Sequence, residues 1–314
     1  MSNTLGNIVA LAGGVGGAKL AYGLYQLVSP EKLTIIVNTG DDFEHLGLAI
    51  SPDLDTVMYT LAGVANPVTG WGVRDESWNM MTALARYGGP TWFQLGDRDL
   101  ATHLLRNKWL HEGYSHTWVT QELSHRLGVR CAILPMSENY VRTIIRTDKE
   151  ELPFQEYFVH QQCQPVVRGI RFEGIEAAQP SREVTSAIRK ADVIIFCPSN
   201  PLLSLDPILA LPNLRRIIAA SRVPKIGVSP IVGGAALKGP AAKMMAELHM
   251  DISPVGVARH LQDVLTGFVL DYVDEAYQDA VTDLGLRTLV TGTVMRTDAD
   301  RVRLAQEILE FAGV

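Results

Sequence analysis

The sequence predicts an α/β protein, built as a Rossmann-like open parallel sheet with a helical insertion and a small antiparallel β layer. Two observations predict this fold class. First, an apolar strand, a helix and a second apolar strand occupy residues 7–37, and this order favours a parallel sheet. Second, strands and helices alternate again after Pro180, which extends the same sheet. We therefore expect a single α/β domain over residues 1–314.

The composition limits the classes of protein and of partner. A hydrophobic fraction of 47% and a charged fraction of 20% are ordinary for a globular domain. The net charge of −6 argues against a general nucleic-acid-binding face. The pattern shows no signal peptide and no uninterrupted apolar run of membrane length, and the three scattered cysteines indicate reduced thiols. We therefore expect a cytoplasmic protein with no nucleic-acid or membrane partner.

The turn after the first strand carries the most informative pattern. Glycine lets backbone amides approach a ligand closely, and the N-terminus of the predicted helix 20–28 favours negative charge. The turn fits neither a P-loop nor the Gly-x-Gly-x-x-Gly fingerprint, whose third glycine would fall at a lysine. We expect a phosphate site; the alternative is a tight turn that only packs helix on strand. The residues concerned are Gly13, Gly14, Gly16, Gly17 and Lys19.

Four carboxylates are expected close to this turn. Asp41 and Asp42 follow the second strand, 33–37. Asp53 and Asp55 lie in the first turn of the next predicted helix. Because such a cluster repels itself unless a cation intervenes, the sequence predicts Mg²⁺ held by Asp41 and Asp42. The alternatives are that the later pair complements the helix dipole and that one of the earlier pair binds a ribose.

A helical insertion, residues 51–128, is predicted to roof the cleft. All five tryptophans fall in it, either as core filler or as a wall for a flat, ring-bearing substrate. Apolar residues recur at helical spacing from 51 onwards and over 77–87, 98–112 and 117–127.

The segment 95–103 of this insertion is dense in polar residues. Arg98 stands between Asp97 and Asp99. The acids alone could cap a helix, but a guanidinium at this place suits a phosphate or an oxygen-rich ring. We therefore expect Asp97 and Arg98 to bind substrate.

The small β layer is predicted over residues 141–173, after a further strand at 129–136. Apolar and polar residues alternate there as in half-exposed antiparallel strands. The alternating segments are 141–147, 154–160 and 165–172.

Helices and strands alternate again after Pro180. In an open α/β sheet, the loops that leave the carboxyl ends of the strands form the ligand cleft. Ser199 and Asn200 follow one such strand and Ser229 follows another, so we expect all three beside the glycine-rich turn. The predicted elements are helix 181–190, strands 192–197 and 225–228, helices 240–249 and 254–265, strands 268–273 and 287–294, and helix 299–311.

Seven motifs in one order resemble the 2-phospho-L-lactate transferase family of coenzyme F-420 biosynthesis. The resemblance spans nearly the whole chain, and its specific motifs are those at 51–56 and 95–103. The motifs are Gly-Gly-Val-Gly-Gly-Ala-Lys at 13–19, Asn-Thr-Gly-Asp-Asp at 38–42, Ser-Pro-Asp-Leu-Asp-Thr at 51–56, Leu-Gly-Asp-Arg-Asp-Leu-Ala-Thr-His at 95–103, Phe-Gln-Glu-Tyr at 154–157, Pro-Ser-Asn-Pro at 198–201 and Ser-Pro-Ile at 229–231.

The resemblance implies a definite reaction. The terminal ribityl hydroxyl of a deazaflavin, 7,8-didemethyl-8-hydroxy-5-deazariboflavin, attacks a guanosine-diphosphate ester, with magnesium as cofactor. GMP leaves, and a 2-phospholactyl or phosphoenolpyruvyl group is transferred. The resemblance also implies that Asp55 and Arg98 contact the deazaflavin, and it suggests a homodimer. Which three-carbon acid is carried stays open.

These implications give the candidate residues their expected roles. We expect Asp55, or its neighbour Asp53, to orient the hydroxyl or take its proton. No Ser, Cys or His stands in a recognisable nucleophile setting, so direct attack on phosphorus is the simplest route. The guanosine diphosphate is expected to bind at Gly13, Gly14, Gly16, Gly17, Lys19, Ser199 and Asn200. Ser229 is expected to bind substrate in the same cleft.

Two other functions are considered. A non-catalytic nucleotide-sugar-binding regulator of the gluconeogenesis-factor type would share the glycine-rich start, but it is not expected to carry the motifs at 51–56 and 95–103. A nucleotide-dependent oxidoreductase is disfavoured because the dinucleotide fingerprint fails.

Overall fold

The computed structural model of the protein describes residues 6–314. Its strands are β1 (Ile8–Ala12), β2 (Leu33–Val37), β3 (Phe43–His45), β4 (Leu48–Ile50), β5 (Ala132–Pro135), β6 (Arg142–Thr147), β7 (Glu151–Pro153), β8 (Val167–Glu173), β9 (Val193–Phe196), β10 (Lys225–Val228), β11 (Ile231–Val232), β12 (Ala235–Ala236), β13 (Gly267–Asp271) and β14 (Arg287–Thr291). Its α-helices are α1 (Gly14–Leu27), α2 (Pro52–Leu61), α3 (Asn79–Arg86), α4 (Asp97–His111), α5 (His116–Arg126), α6 (Arg182–Lys190), α7 (Asp206–Ala210), α8 (Leu214–Ala220), α9 (Ala241–Glu247), α10 (Pro254–Leu261), α11 (Gln278–Thr282) and α12 (Asp298–Ala312). Short 3₁₀ or π turns occupy Pro30–Lys32, Glu156–His160, Pro201–Leu205 and Tyr272–Tyr277.

Seven of these strands form one parallel sheet in the order β14-β13-β10-β9-β1-β2-β5. Strand β1 lies between β2 and β9, with Ile8 in register with both Leu33 and Val193. The strand order therefore reverses between β1 and β9. At such a switch point the loops that leave the strands diverge and open a ligand crevice. The predicted fold class, including the antiparallel layer β7-β6-β8, is confirmed.

Apolar side chains cover both faces of the sheet because successive residues of a strand point to opposite faces. On β1, Ile8 and Ala10 join the core formed with α1, α2, α5 and α12. Val9 and Leu11 join the core on the other face, formed with α6, α8 and α10. Helix α2 packs beside α1, so the first helix of the segment 51–128 flanks the sheet.

Two predicted elements near the site were wrong. Helix α1 begins at Gly14 and not at Leu20, because the glycines form its first turns. A Cβ at Gly16 would lie 2.2 Å from the carbonyl oxygen of Pro198, so glycine allows the helix to pack against the loop after β9. The segment 154–160 is a helical turn instead of a strand, since Phe154 and Phe158 recur at helical spacing.

The hairpin β3-β4 was not predicted at all. Its two-residue loop consists of Leu46 and Gly47, both with positive φ, of 55° and 73°. Leucine rarely adopts this backbone region, so the pair carries no hairpin signal in the sequence. Over residues 6–314, we find no helix with the length and apolar character that a bilayer crossing requires.

Candidate active site

A cavity of about 890 Å³ opens at the carboxyl edge of the parallel sheet. The loops that follow β1, β2, β9 and β10 contribute Gly14, Asp41, Asn200 and Ser229 to its wall, as their strand-end positions predicted. The volume lies within the roughly 300–1,000 Å³ of small-molecule sites. The cavity is therefore large enough for a substrate of nucleotide size.

Ser199, in the loop after β9, forms two hydrogen bonds with the glycine-rich turn. Its hydroxyl accepts a hydrogen bond from the Gly13 amide (3.1 Å) and donates one to the Gly13 carbonyl (2.9 Å). A Cβ at Gly13 would lie 2.6 Å from Asp53 Oδ2, so this position has room only for glycine. Ser199 thus holds the turn in place, although it also lines the cavity.

Hydrogen-bond donors line the cavity around the start of α1. The first amides of a helix have no partner inside the helix, and Val15 and Gly16, in the first turn of α1, line the cavity. Lys19 also lines the cavity and donates to the carbonyl of Met295 (2.8 Å). The Asn200 Nδ2 atom is buried and has no hydrogen-bond partner within residues 6–314. This end of the cavity is suited to an anion.

Asp41 and Asp53 form a buried pair of like charge at the cavity wall. Asp53 accepts hydrogen bonds from the Gly14 amide (2.7 Å) and from Asn38 Nδ2 (2.9 Å). Burial nevertheless raises the pKa of Asp53 to about 6. Burial, followed by the charge of Asp53, raises the pKa of Asp41 well above its usual range. Asp41 Oδ1 has no hydrogen-bond partner in the described part of the chain.

Asp55 belongs to a different network, centred on the fully buried Arg106 of α4. The guanidinium donates from both terminal nitrogens to the Asp55 carboxylate, with Nη1 at 3.0 Å from Oδ2. His103 Nδ1 lies 3.1 Å from Arg106 Nη1, and His103 Nε2 lies 3.2 Å from Asp99 Oδ2. Tyr59 donates its hydroxyl hydrogen to Asp99 Oδ1 at 2.7 Å. Arg106 therefore supplies the counter-charge of Asp55 within this network.

Asp55, Asp99 and His103 also have potential ligand atoms that lie within 4.8 Å of one another. Such a group could hold a metal ion, but Arg106 already supplies positive charge to Asp55. Burial alone would raise the pKa of Asp99, whereas the hydrogen bond and charge of His103 bring it below its usual range. We interpret the group as a charge-balanced wall of the cavity.

Asp42 points away from the cavity, unlike its neighbour Asp41. Its Oδ2 accepts a hydrogen bond from the Ser51 hydroxyl (2.8 Å) and lies 3.9 Å from His116 Nε2. Burial raises the pKa of Asp42 to about 7. The structure therefore does not bring the two predicted metal ligands together at the cavity; it brings Asp41 together with Asp53.

Aromatic side chains form another part of the wall. Phe154 and Phe158 stack with their ring centroids 5.3 Å apart, and both line the cavity together with Phe93. Trp71 lines it as well, whereas Trp109 is buried in the core between the sheet and its helices. The aromatic wall offers apolar faces against which a flat ring can stack.

Asp97 and Arg98 lie outside the cavity wall. Asp97 accepts hydrogen bonds from the Asn79 amide (3.0 Å) and the Met80 amide (3.0 Å), at the start of α3. A hydrogen bond from the Ser77 hydroxyl, together with those from the two amides, lowers the pKa of Asp97 to about 2. Arg98 donates to the carbonyl of Arg74 (3.2 Å). The roles of Asp97 and Arg98 in substrate binding stay predictions.

Ser229 lines the cavity, but its hydroxyl donates to the carbonyl of Ile231 (2.7 Å).

The sequence analysis missed Arg106, His103 and Tyr59 as residues of the cavity network. One signal was available: Asp99, His103 and Arg106 are spaced i, i+4 and i+7, which puts all three on one face of α4. Tyr59 offered no such signal, since it stands among apolar residues of α2.

The family model of 2-phospho-L-lactate transferase CofD matches residues 8–297. A phosphoenolpyruvate transferase of Streptomyces griseus is 43% identical over 312 residues, covering 97% of this chain and 98% of the relative. One of Mycobacterium ulcerans is 40% identical and covers 98% and 99%. A 2-phospho-L-lactate transferase of Methanosarcina mazei is 35% identical and covers 96% and 99%.

The solved structures that resemble this chain are more distant. A UPF0052 family protein of Bacillus halodurans superposes with a TM-score of 0.65 at 16% identity, covering 97% of this chain and 98% of that one. This likeness supports the fold alone.

Proposed function

The chain belongs to the 2-phospho-L-lactate transferase CofD family and is a transferase, and we propose that it acts in coenzyme F-420 biosynthesis. In this proposal it moves a phosphoenolpyruvyl or 2-phospholactyl group from a guanosine-diphosphate ester to the ribityl hydroxyl of 7,8-didemethyl-8-hydroxy-5-deazariboflavin. GMP is the other product. The observation that carries the proposal is one cavity with an anion-binding end, an aromatic wall and a carboxylate pair.

The guanosine diphosphate is assigned to the end formed by the glycine-rich turn. The Val15 and Gly16 amides, Lys19 and Asn200 Nδ2 offer donors and positive charge to the phosphates. Lys19 keeps its hydrogen bond to a neutral carbonyl, so its charge remains available to an anion. Burial lowers the pKa of Lys19, because the charged form loses hydration in the absence of a bound anion.

The deazaflavin is assigned to the aromatic wall of Phe93, Phe154 and Phe158. These side chains present apolar surface to a flat ring, and stacking needs no charge from the ring. We assign the ring to this wall and not to Arg98, because the Arg98 side chain lies outside the cavity.

The magnesium ion of the proposal fits Asp41 and Asp53 better than Asp41 and Asp42. Asp41 Oδ1 is buried without a hydrogen-bond partner in the described residues, and burial raises the pKa of both carboxyls. Mg²⁺ is typically held by one or two carboxylates together with substrate phosphates. When bound, it would neutralise charge on the phosphates during transfer.

The transfer is proposed as a single in-line displacement. The ribityl oxygen forms a bond to the phosphorus that carries the three-carbon acid, and the bond from that phosphorus to the GMP oxygen breaks. The hydroxyl proton goes to the Asp41–Asp53 pair, at a carboxylate oxygen that the cation leaves free, because Asp41 Oδ1 has no hydrogen-bond partner within residues 6–314. Asp55 is less suited to this step because Arg106 already holds its carboxylate. The amides of the glycine-rich turn stabilise the charge on the departing GMP.

The relatives favour phosphoenolpyruvyl as the transferred group. The phosphoenolpyruvate transferases reported above are 40–43% identical to this chain, whereas the 2-phospho-L-lactate transferase is 35% identical. We therefore propose the phosphoenolpyruvyl ester of guanosine diphosphate as the donor.

Mass spectrometry of the product tests this function. The protein is incubated with the deazaflavin, Mg²⁺ and, in separate reactions, the phosphoenolpyruvyl, phospholactyl and phosphoglyceryl donors. We expect the deazaflavin to gain the enolpyruvyl phosphate mass, with GMP released in equal amount. A product formed only from another donor would show that a different three-carbon acid is transferred. Binding of a nucleotide sugar without any product would support the regulator instead.

A further inference from the structure

A second pocket, of about 240 Å³, lies behind the glycine-rich turn. Helix α1, the start of α12 and the segment 60–74 after α2 form its walls. Val15 and Gly70 pack against each other in its wall, since a Cβ at Gly70 would lie 2.8 Å from Val15 Cγ1. The four carboxylates of the large cavity do not line it. Its lining therefore differs in charge from that of the large cavity.

The side chains of this second pocket carry a strong positive charge. The lining taken from residues 6–314 has a single carboxylate, Asp298. Its four cationic side chains are Lys19, Arg74, Lys238 and Arg301. Like charges brought together in this way repel one another unless an anion lies among them.

Three of the four cations lack a full counter-charge. Lys19 donates to the carbonyl of Met295, and Lys238 donates to the carbonyl of Thr69 (2.9 Å), which are neutral acceptors. Arg74 makes no ion pair with any residue in the described range. The positive charges of Arg301 and Lys238 add to burial in lowering the pKa of Lys19.

Arg301 is partly compensated. Its Nη1 lies 3.0 Å from Asp298 Oδ1, and Asp298 Oδ2 also accepts a hydrogen bond from the Tyr22 hydroxyl (3.2 Å). The Nε atom of Arg301, however, is buried and has no hydrogen-bond partner within the described chain. An unpaired donor on a guanidinium is suited to an oxyanion, because its nitrogens match the geometry of phosphate and carboxylate oxygens.

We propose that the second pocket binds a small tetrahedral oxyanion of the inorganic phosphate class, at a site distinct from that of the guanosine-diphosphate ester. The volume is below the range of nucleotide-sized cavities, which favours a small occupant. Two arginines and two lysines would surround the anion and offset its charge.

The two cavities share Lys19 and Lys238, which line both. An anion in the second pocket therefore uses positive charge that also attracts a diphosphate in the first. Binding at one site weakens binding at the other, and by thermodynamic linkage the factor is the same in both directions. This coupling would make the enzyme sensitive to the phosphate concentration around it.

Calorimetric titration with inorganic phosphate tests the proposal, using the wild type and the Arg74→Ala variant. Arg74 is exposed and lies outside the large cavity, and its backbone hydrogen bonds remain in the variant. Removing one charge-assisted contact should weaken phosphate binding about tenfold. Arg74→Lys should retain part of the affinity. Arg86→Ala, at an exposed arginine of α3, is the matched control and should bind like the wild type.

A second titration, with saturating GDP present, separates the two sites. Phosphate should still bind in the presence of GDP. Its dissociation constant should rise with the GDP concentration and then level off, because GDP weakens phosphate binding without displacing it. Loss of all phosphate binding in GDP would place the anion in the large cavity and overturn the proposal. So would an unchanged affinity in Arg74→Ala, or no binding in the wild type. If GDP itself fails to bind, the proposed function is contradicted, while the phosphate result stands on its own.

Discussion

Asp53 and Asp55 lie on different faces of the first turn of α2 and belong to two different groups of charged residues. Asp53 lies with Asp41 against the glycine-rich turn, and Asp55 lies against Arg106 of α4. Residues two apart in a helix differ by about 200° in direction, which explains the separation. All three carboxylates are buried and line the same cavity.

The two groups differ in their counter-charges. Arg106 balances Asp55, whereas Asp41 and Asp53 have no ion-pair partner within residues 6–314. A buried carboxylate that is already paired stabilises the wall of a site, and one that is unpaired remains available for a cation or a proton. Burial alone therefore does not identify the functional acids of this cavity.

The largest effect is expected from breaking the balanced group. Arg106→Met leaves Asp55 buried without its counter-charge, which typically costs about 3–5 kcal/mol of folding free energy. Urea unfolding measures the loss. Arg126→Met is the control, because its pair with Glu122 is exposed and should contribute about 1 kcal/mol or less.

The double variant Asp55→Leu/Arg106→Met then tests whether the loss comes from the unpaired charge. Replacing a whole buried ion pair by apolar residues is often close to neutral. We expect the double variant to recover most of the stability. A double variant as unstable as Arg106→Met would show that Arg106 acts through packing instead.

The unbalanced group should affect catalysis and not stability. Asp41→Asn should lower turnover by about 10²-fold or more, as expected when one electrostatic partner of the transition state is lost, and should leave the melting temperature the same or higher. Asp42→Asn, one residue further along but outside the cavity, is the matched control and should keep most of its activity. Full wild-type activity in EDTA would contradict the metal site.

A smaller effect is expected from His116, whose side chain is 16% exposed and lies next to Asp42. Burial lowers the pKa of His116 to about 3, so the folded protein keeps it neutral while the unfolded chain protonates it below about 6.5. The contribution of His116 to stability therefore falls as the pH drops below 6.5, by about 2 kcal/mol at pH 5. The raised pKa values of Asp42 and Asp53 act in the opposite direction over this interval, so the effect of His116 is measured as a difference between variants.

The pH effect is measured by urea unfolding at pH 7 and pH 5. His116→Gln should lose less stability over this interval than the wild type, because its side chain does not titrate. His111→Gln, at an exposed histidine of α4, should behave like the wild type. Equal losses in all three proteins would show that His116 is protonated in the folded state.

The position of the cavity could be predicted from the sequence, but the pairing of its carboxylates could not. The glycine-rich turn and the strand-end positions of Asp41, Asn200 and Ser229 sufficed to predict one cleft, because parallel strands bring their carboxyl ends to one edge. The same reasoning chose Asp42 as the second metal ligand. It could not foresee that Ser51 would hold Asp42 away from the cavity.

The sequence by itself determined the α/β class, the antiparallel layer and the family, since these depend on local periodicity and on motifs that stand unbroken in the chain. Only the tertiary structure decided which carboxylates are paired. Asp55 and Arg106 are 51 residues apart, and Gly14 and Asp53 are 39 apart, so their meeting depends on how α2 and α4 pack. Electrostatic pairing depends on distance and burial in space, and neither can be read from neighbours along the chain.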